Sequence, residues 1–143
     1  MYVMRLILLT SFLTLFLWGG ELEWVDSYEE AQEHAINENK PILLLMTAET
    51  CRWCRKLEST TLEDDSIADR INAKYISVNV TRDIDSYPPC LKAKMVPKSF
   101  FIFPDGKLII RGVIGYWSVE DYHSIIDDVE KAIKKHEKRI KRY

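Results

Sequence analysis

Cysteine is scarce in this chain, with three among 143 residues, at positions 51, 54 and 90. A structural zinc site needs four Cys or His ligands. Beyond the first two cysteines only Cys90 and the isolated His34, His123 and His136 remain, with no second C-x-x-C and no H-x-x-x-H. Zinc is therefore disfavoured. A purely structural bridge between Cys51 and Cys54 is disfavoured too, because it closes too short a loop to staple much. No cysteine follows the N-terminal apolar stretch closely, so lipid attachment has no site there. Net charge is small, −2, which argues against a dedicated nucleic-acid binder. The longest largely apolar run, Leu6 to Trp18, has 13 residues, short of the roughly 20 that a spanning helix requires. Neither internal repeats, low-complexity tracts nor an interdomain linker interrupts a length that fits one domain.

What the chain does contain is concentrated at Cys51-Arg52-Trp53-Cys54. This C-x-x-C stands where an apolar run, Pro41 to Thr47, gives way to a helical pattern. Two thiols three residues apart in a first helical turn share one face. Their Cα atoms then lie near the about 4.4–6.8 Å that a disulfide requires. A cysteine at a helix N-terminus meets unpaired N–H groups and the positive end of the dipole, both of which favour thiolate. Arg52, Arg55 and Lys56 add positive charge. The chemistry predicted is dithiol–disulfide exchange, with Cys51 attacking and Cys54 resolving. A soft-metal module holding Cu(I) between the same two sulfurs is the alternative.

Residues 1–20 read as a signal peptide or N-terminal anchor, with Arg5 ahead of the apolar stretch and Gly19-Gly20 at its end. Export is expected on this ground, to the periplasm or outside the cell, where disulfide chemistry belongs. The anchor alternative allows membrane contact through the same segment. Residues 21–143 are assigned to one domain, expected as a monomer. Its charge is uneven: residues 131–143 carry seven Lys/Arg against one Glu, whereas residues 21–130 sum to −9.

Within that domain, Leu22 to Val25 suggests a first strand, and Ser27 to Asn39 a helix with Ser27 and Glu30 in capping-box spacing. Pro41 to Thr47 has the composition of a strand buried on both faces. The helix from the cysteines is predicted to reach Thr60. Asp64 or Asp65 caps another through Asn72, and Tyr75 to Val80 alternates as a second core strand. Asn79-Val80-Thr81 is formally a glycosylation sequon, read as coincidence on a buried strand. A short helical patch is placed around Leu91 to Lys94. Pro104-Asp105-Gly106 is a hairpin turn between strands Lys98–Phe103 and Lys107–Val113. From Ser118 a last helix carries Val119, Tyr122, Ile125, Ile126, Val129 and Ile133 at helical spacing. The expected class is α/β, a mixed sheet flanked by helices.

These residues resemble the thioredoxin superfamily over roughly residues 23–130. The resemblance rests on the strand leading into Cys51-Arg52-Trp53-Cys54, on Val96-Pro97 before a late strand, and on Pro104-Asp105-Gly106 followed by Gly115-Tyr116. It implies a thioredoxin fold. It also implies a cis Pro97 beside the cysteines, with the backbone at Val96 pairing to an extended substrate segment. Within the superfamily, the chain is most similar to the C-terminal catalytic domain of DsbD-type reductases. A basic residue after the C-x-x-C, Glu58 seven positions after Cys51, and Asn79-Val80-Thr81 carry that likeness. The activity implied is electron transfer between this dithiol and a partner protein's disulfide, more as reductant than oxidant, fed by an upstream donor and needing no cofactor. Three positions depart from the pattern. Leu45 replaces the buried Asp, Thr50 replaces the Trp before the first Cys, and Lys98 replaces the Thr after the proline. With the Asp missing, Glu58 or Glu49 is the candidate proton relay, an ordinary exposed position being the alternative for each. Trp53 either offers partners an apolar surface or covers the disulfide. Cys90 reads as a third redox thiol or an inert one. Met46 and Met95 are assigned to core packing, and the three histidines to the surface without partners.

Overall fold

A computed structural model describes residues 20–142; the segment read as a signal or anchor lies almost wholly outside them. In chain order the elements are β1 (Trp24–Val25), α1 (Tyr28–Glu38), β2 (Ile42–Thr47), α2 (Arg52–Leu57), a π-helical turn (Glu58–Leu62), α3 (Asp65–Lys74), β3 (Ile76–Thr81), a 3-10 turn (Pro89–Leu91), β4 (Lys98–Ile102), β5 (Val113–Ile114) and α4 (Val119–Ile140). Five strands form one sheet in the order β1-β3-β2-β4-β5. β1, β3 and β2 run parallel, and β4 and β5 antiparallel to their neighbours. This is the mixed sheet flanked by helices that a thioredoxin fold requires.

β2 is the central strand, and all six of its residues are buried. Its side chains alternate between two cores. Leu43 and Leu45 join Leu57, Leu62, Ile67, Ile71, Phe101, Tyr122 and Ile126 beneath α2, α3 and α4. Ile42, Leu44 and Met46 join Ala31, Ala35, Val78, Phe100 and Ile102 beneath α1. Local chemistry fixes the helix starts: Ser27, Asp64 and Ser118 each accept a backbone N–H with their side chains as N-caps. Asn39 closes α1 at φ 51°, a left-handed conformation that asparagine tolerates.

Several expectations are corrected. The helix from the cysteines does not run evenly to Thr60 but widens into the π turn. There Thr60 Oγ1 donates to Lys56 O at 2.7 Å, competing with the helix's own backbone bonds, and Thr61 Oγ1 reaches out to Trp117 O. The helical patch is a single turn placed earlier, at Pro89–Leu91. The hairpin turn forms as expected, Gly106 adopting φ 85° with Phe103 N–H donating to Lys107 O at 2.8 Å. Its second arm is not a strand from Lys107. After the Ile102–Leu108 bridge it leaves the sheet and returns only at Val113–Ile114. Ile109 and Ile110 are consecutive yet both pack on the α4-side core, which the two-residue period of a strand forbids. Met46 is core, but Met95 is 62% exposed. The histidines have partners: His34 meets Glu38, His123 meets Ser66 and Arg70, and His136 stacks on Phe103.

Candidate active site

At the end of β2 the chain turns through Ala48, Glu49 and Thr50 and enters α2 with Cys51 as its N-cap. Cys51 has extended backbone, and its Sγ accepts the Cys54 N–H at 3.1 Å. Cys51 and Cys54 form a disulfide with a Cα–Cα distance of 5.2 Å. The two sulfurs are unequal in access: Cys51 is half-buried, whereas Cys54 is 2% exposed. Once reduced, a sulfur at position 51 keeps a backbone donor and the positive end of the helix, which favours thiolate there.

The cations expected near Cys51 are largely engaged with aromatic rings. Lys56 Nζ lies 5.2 Å from the centre of the Trp53 ring and 4.5 Å from that of Tyr116, and the Arg52 guanidinium lies 5.3 Å from Trp53. Trp53 and Tyr116 face each other at 6.0 Å, with Trp53 47% exposed. Thr61, buried in the π turn, donates to Trp117 O at 2.7 Å, tying the Tyr116–Trp117 loop to the cysteine helix. Trp53 is thus partly exposed in the turn of α2 between the two cysteines, with Arg52, Lys56 and Tyr116 gathered at its ring. Lys98 sends its ammonium over the Phe100 ring at 4.7 Å.

Pro97 sits one position beyond the Lys98–Met46 pair, at the level of Thr47 and so at the cysteine end of the sheet. The Val96–Pro97 bond is cis. Pro97 is buried, and its carbonyl accepts the N–H of Gly115 at 2.8 Å; Gly115 adopts φ 97°, which favours glycine. Val96 is half-buried.

The two candidate relays part company. Glu49 is exposed in the turn. Glu58, one turn beyond Cys54, is half-buried and accepts a hydrogen bond from Asn79 Nδ2, whose Oδ1 in turn accepts from Thr47 Oγ1 at 3.1 Å. Burial pushes the Glu58 carboxyl above its ordinary range, against the opposing pull of the Asn79 bond; Glu63 raises it further and Arg55 lowers it. A solvent-open cleft of about 530 Å³, lined by Arg55, Glu58, Ser59 and Glu63 among others, connects this carboxyl to water. Leu45, where the pattern has Asp, pairs with Asn79 in the sheet register and is fully buried.

Sequence reasoning named Asn79 only as part of Asn79-Val80-Thr81 and Thr47 only as a strand end, with no role for either side chain. The available signal was the period of β3: with Val78 and Val80 on the α1 side, Asn79 must face the cysteine helix. It also passed over the buried Ser99–Tyr122 hydroxyl pair at 2.9 Å, below the same face of the sheet. Cys90 is a free, exposed thiol, and its neighbour Leu91 packs in the α1-side core, across the sheet from α2. Among the described residues, no three His, Cys, Asp or Glu gather as a metal cage.

The family described as "Thioredox_DsbH: Protein of unknown function, DUF255" matches residues 5–142. Anterior gradient protein 2-B of Xenopus laevis is 30% identical over 124 residues, 86% of this chain and 74% of that protein. Among solved structures, "DsbH Oxidoreductase" superposes with a TM-score of 0.59 at 22% identity, covering 80% of this chain and 86% of that one. The oxidised DsbD C-terminal domain of Neisseria meningitidis does so with 0.55 at 17%, covering 69% and 90%.

Proposed function

The chain belongs to the Thioredox_DsbH family, and from that premise we propose that it is an exported thiol–disulfide oxidoreductase acting on protein disulfides, chiefly as a reductant. One observation carries the reading: an accessible Cys51 capping a helix, bridged to a Cys54 that is almost fully buried. That inequality suits a two-step exchange. In the reduced form, the Cys51 thiolate attacks one sulfur of a partner's disulfide. A mixed disulfide forms, and the partner's other sulfur leaves as thiolate and takes a proton from water. The Cys54 thiol then gives its proton to the Glu58 carboxylate, and its sulfur attacks Cys51 Sγ. The Cys51–partner bond breaks as the Cys51–Cys54 disulfide closes, the partner's second sulfur leaves as thiolate and takes a proton from water, Glu58 returns its proton to water, and two electrons have moved to the partner. An upstream protein dithiol restores the pair by the reverse sequence.

The partner's segment is taken to lie along Val96 at Pro97 and to rest on Trp53. The uneven access of the sulfurs supports Cys51 as the attacking group; Glu58 is favoured over Glu49 by its burial and its place one turn from Cys54. The reducing direction is supported by the acidic body and by a half-buried carboxyl near the cysteines, both of which work against a strongly stabilised thiolate. Export rests on residues 1–20. The test is trapping. Cys54→Ser should hold partner proteins as mixed disulfides through Cys51 and Cys51→Ser should hold none, scored by mobility on non-reducing gels. Equal trapping by both variants would overturn the assignment.

A further inference from the structure

We propose that the C-terminal half of α4 is a docking surface for an anionic lipid bilayer, one that holds the domain with its cysteines turned away from the membrane. From Lys131 onward the helix is crowded with cations, and Lys131, Lys134, Lys135, Lys138, Arg139 and Arg142 together line one shallow groove of about 440 Å³. All six are exposed. Among the described residues, Lys134, Lys135, Lys138 and Arg139 make no ion pair; Lys131 alone does, with Asp128 at 3.2 Å. Complementing the helix dipole does not account for them, because that effect fades within the last turn and these cations occupy three turns.

The position of this surface is set by the sheet. α4 starts at Ser118, beside the Trp53–Tyr116 stack, and ends past Pro41, where Ile133 and Glu137 border a hollow with Phe103 and Pro104. Pro41 precedes β2 and Cys51 follows it, so the basic end and the cysteines stand at opposite poles. The six residues of β2 separate these poles by about 20 Å. That exceeds the about 8 Å screening length at physiological salt. A surface that meets this face of α4 meets the +6 of residues 131–143 first, with Glu38, Asp105 and Glu130 at the same end of the sheet and the acids near the cysteines screened.

Two features favour lipid over another polyanion. A flexible polyanion that wrapped the domain would meet its acidic body, whereas a flat surface touches only the pole. Finally, the Leu6–Trp18 stretch gives the same chain an independent reason to be near a bilayer.

The test uses the full chain, so the readout must separate α4 from the N-terminal stretch. Amine-reactive footprinting read by mass spectrometry does this. On phosphatidylglycerol vesicles, modification of Lys134, Lys135 and Lys138 should fall at least about tenfold relative to phosphatidylcholine vesicles, and should recover in high salt. Lys56, at the other pole, should be modified equally on both. At about 1 kcal/mol per cation, the triple variant Lys134→Glu, Lys138→Glu, Arg139→Glu should lose about a hundredfold of the phosphatidylglycerol-dependent binding. Its binding to phosphatidylcholine and its disulfide exchange should be unchanged. Equal modification of α4 on both vesicle types would overturn the proposal. So would protection by an oligonucleotide or polyglutamate that matches or exceeds protection by the anionic vesicles.

Discussion

Replacing Glu58 by Gln is expected to make the protein more stable and slower at the same time. Burial holds the Glu58 carboxyl above the ordinary carboxylate range, so the folded chain keeps this proton to higher pH than the unfolded chain does. The associated stability is complete below the ordinary pKa and is lost as pH rises through the raised, folded value. At pH 7 the ionised, half-buried group is therefore a cost. Gln removes the charge and still offers Oε1 to Asn79, so Glu58→Gln should gain stability at pH 7. Because solvent reaches the group through the adjoining cleft, screening should keep that gain below about 1 kcal/mol. Below pH 4 the two proteins should be equally stable. The resolving step should respond in the opposite sense. General acid–base assistance is commonly worth about 10²–10⁴-fold. Water in the cleft can replace part of it, so a loss of about tenfold to a hundredfold is expected. The assay starts from a preformed mixed disulfide on Cys51 and follows release of the second partner thiol by stopped flow between pH 4 and 9. The wild type should show a rising limb as Glu58 ionises, and the variant should lack it. Chemical denaturation at the same pH values gives the stability. An unchanged rate and profile, or a variant less stable at pH 7, would refute the reasoning.

Two further predictions concern the frame around the site. Arg70 ties α3 to α4 through Asp127 at 2.5 Å, Glu130 at 3.1 Å and the His123 carbonyl at 3.2 Å, so Arg70→Met should cost about 1–2 kcal/mol by denaturation. The hydrogen bond from Arg70 lowers the Asp127 carboxyl, and bonds from Lys74 and Arg70 lower that of Glu130 against its burial. That contribution is present at neutral pH and should fade as pH falls through the lowered values, leaving wild type and variant alike in acid. Tyr122, its hydroxyl pushed up to about 12 by burial, pairs only with Ser99 among the described side chains. Tyr122→Phe should therefore cost about 1–3 kcal/mol by leaving Ser99 Oγ unpaired, and adding Ser99→Ala should recover part of it; no recovery in thermal melts would refute the pairing.

Where the sequence was legible, one force dominated. Pro41 to Thr47 reads as a strand buried on both faces because nothing polar interrupts it before Thr47, and it is the centre of the sheet. The cap Ser27 reads correctly, and Asp64 is one of the two residues read as capping α3, because an N-cap is settled within four residues; Ser118 reads as the start of the last helix. The turn at Pro104-Asp105-Gly106 reads for the same local reason. The second hairpin arm fails because Ile109 and Ile110 answer to the core under α4 rather than to a strand period, a choice made by residues far away in the chain.

The site divides along the same line. Cys51 and Cys54 are visible because their spacing carries their geometry. The surroundings of Glu58 are not, because what distinguishes it from an ordinary helix glutamate is Asn79, twenty-one residues on and in another element. With Leu45 at the position that holds Asp in the related pattern, the half-buried carboxyl that follows Cys54 by one turn is Glu58, on the helix side of the core. The π turn that begins at Glu58 adds a residue to that helix. It buries Thr61 against the Trp117 carbonyl while Glu58 stays at the edge of the cleft, in reach of both Asn79 and water. A regular α-helix through Thr60 would rotate the residues after Glu58 by a full position and could not keep both contacts. The departure from the expected helix thus sets where Glu58 and Thr61 meet their partners, and the Glu58→Gln kinetics probe the proposed relay in that setting.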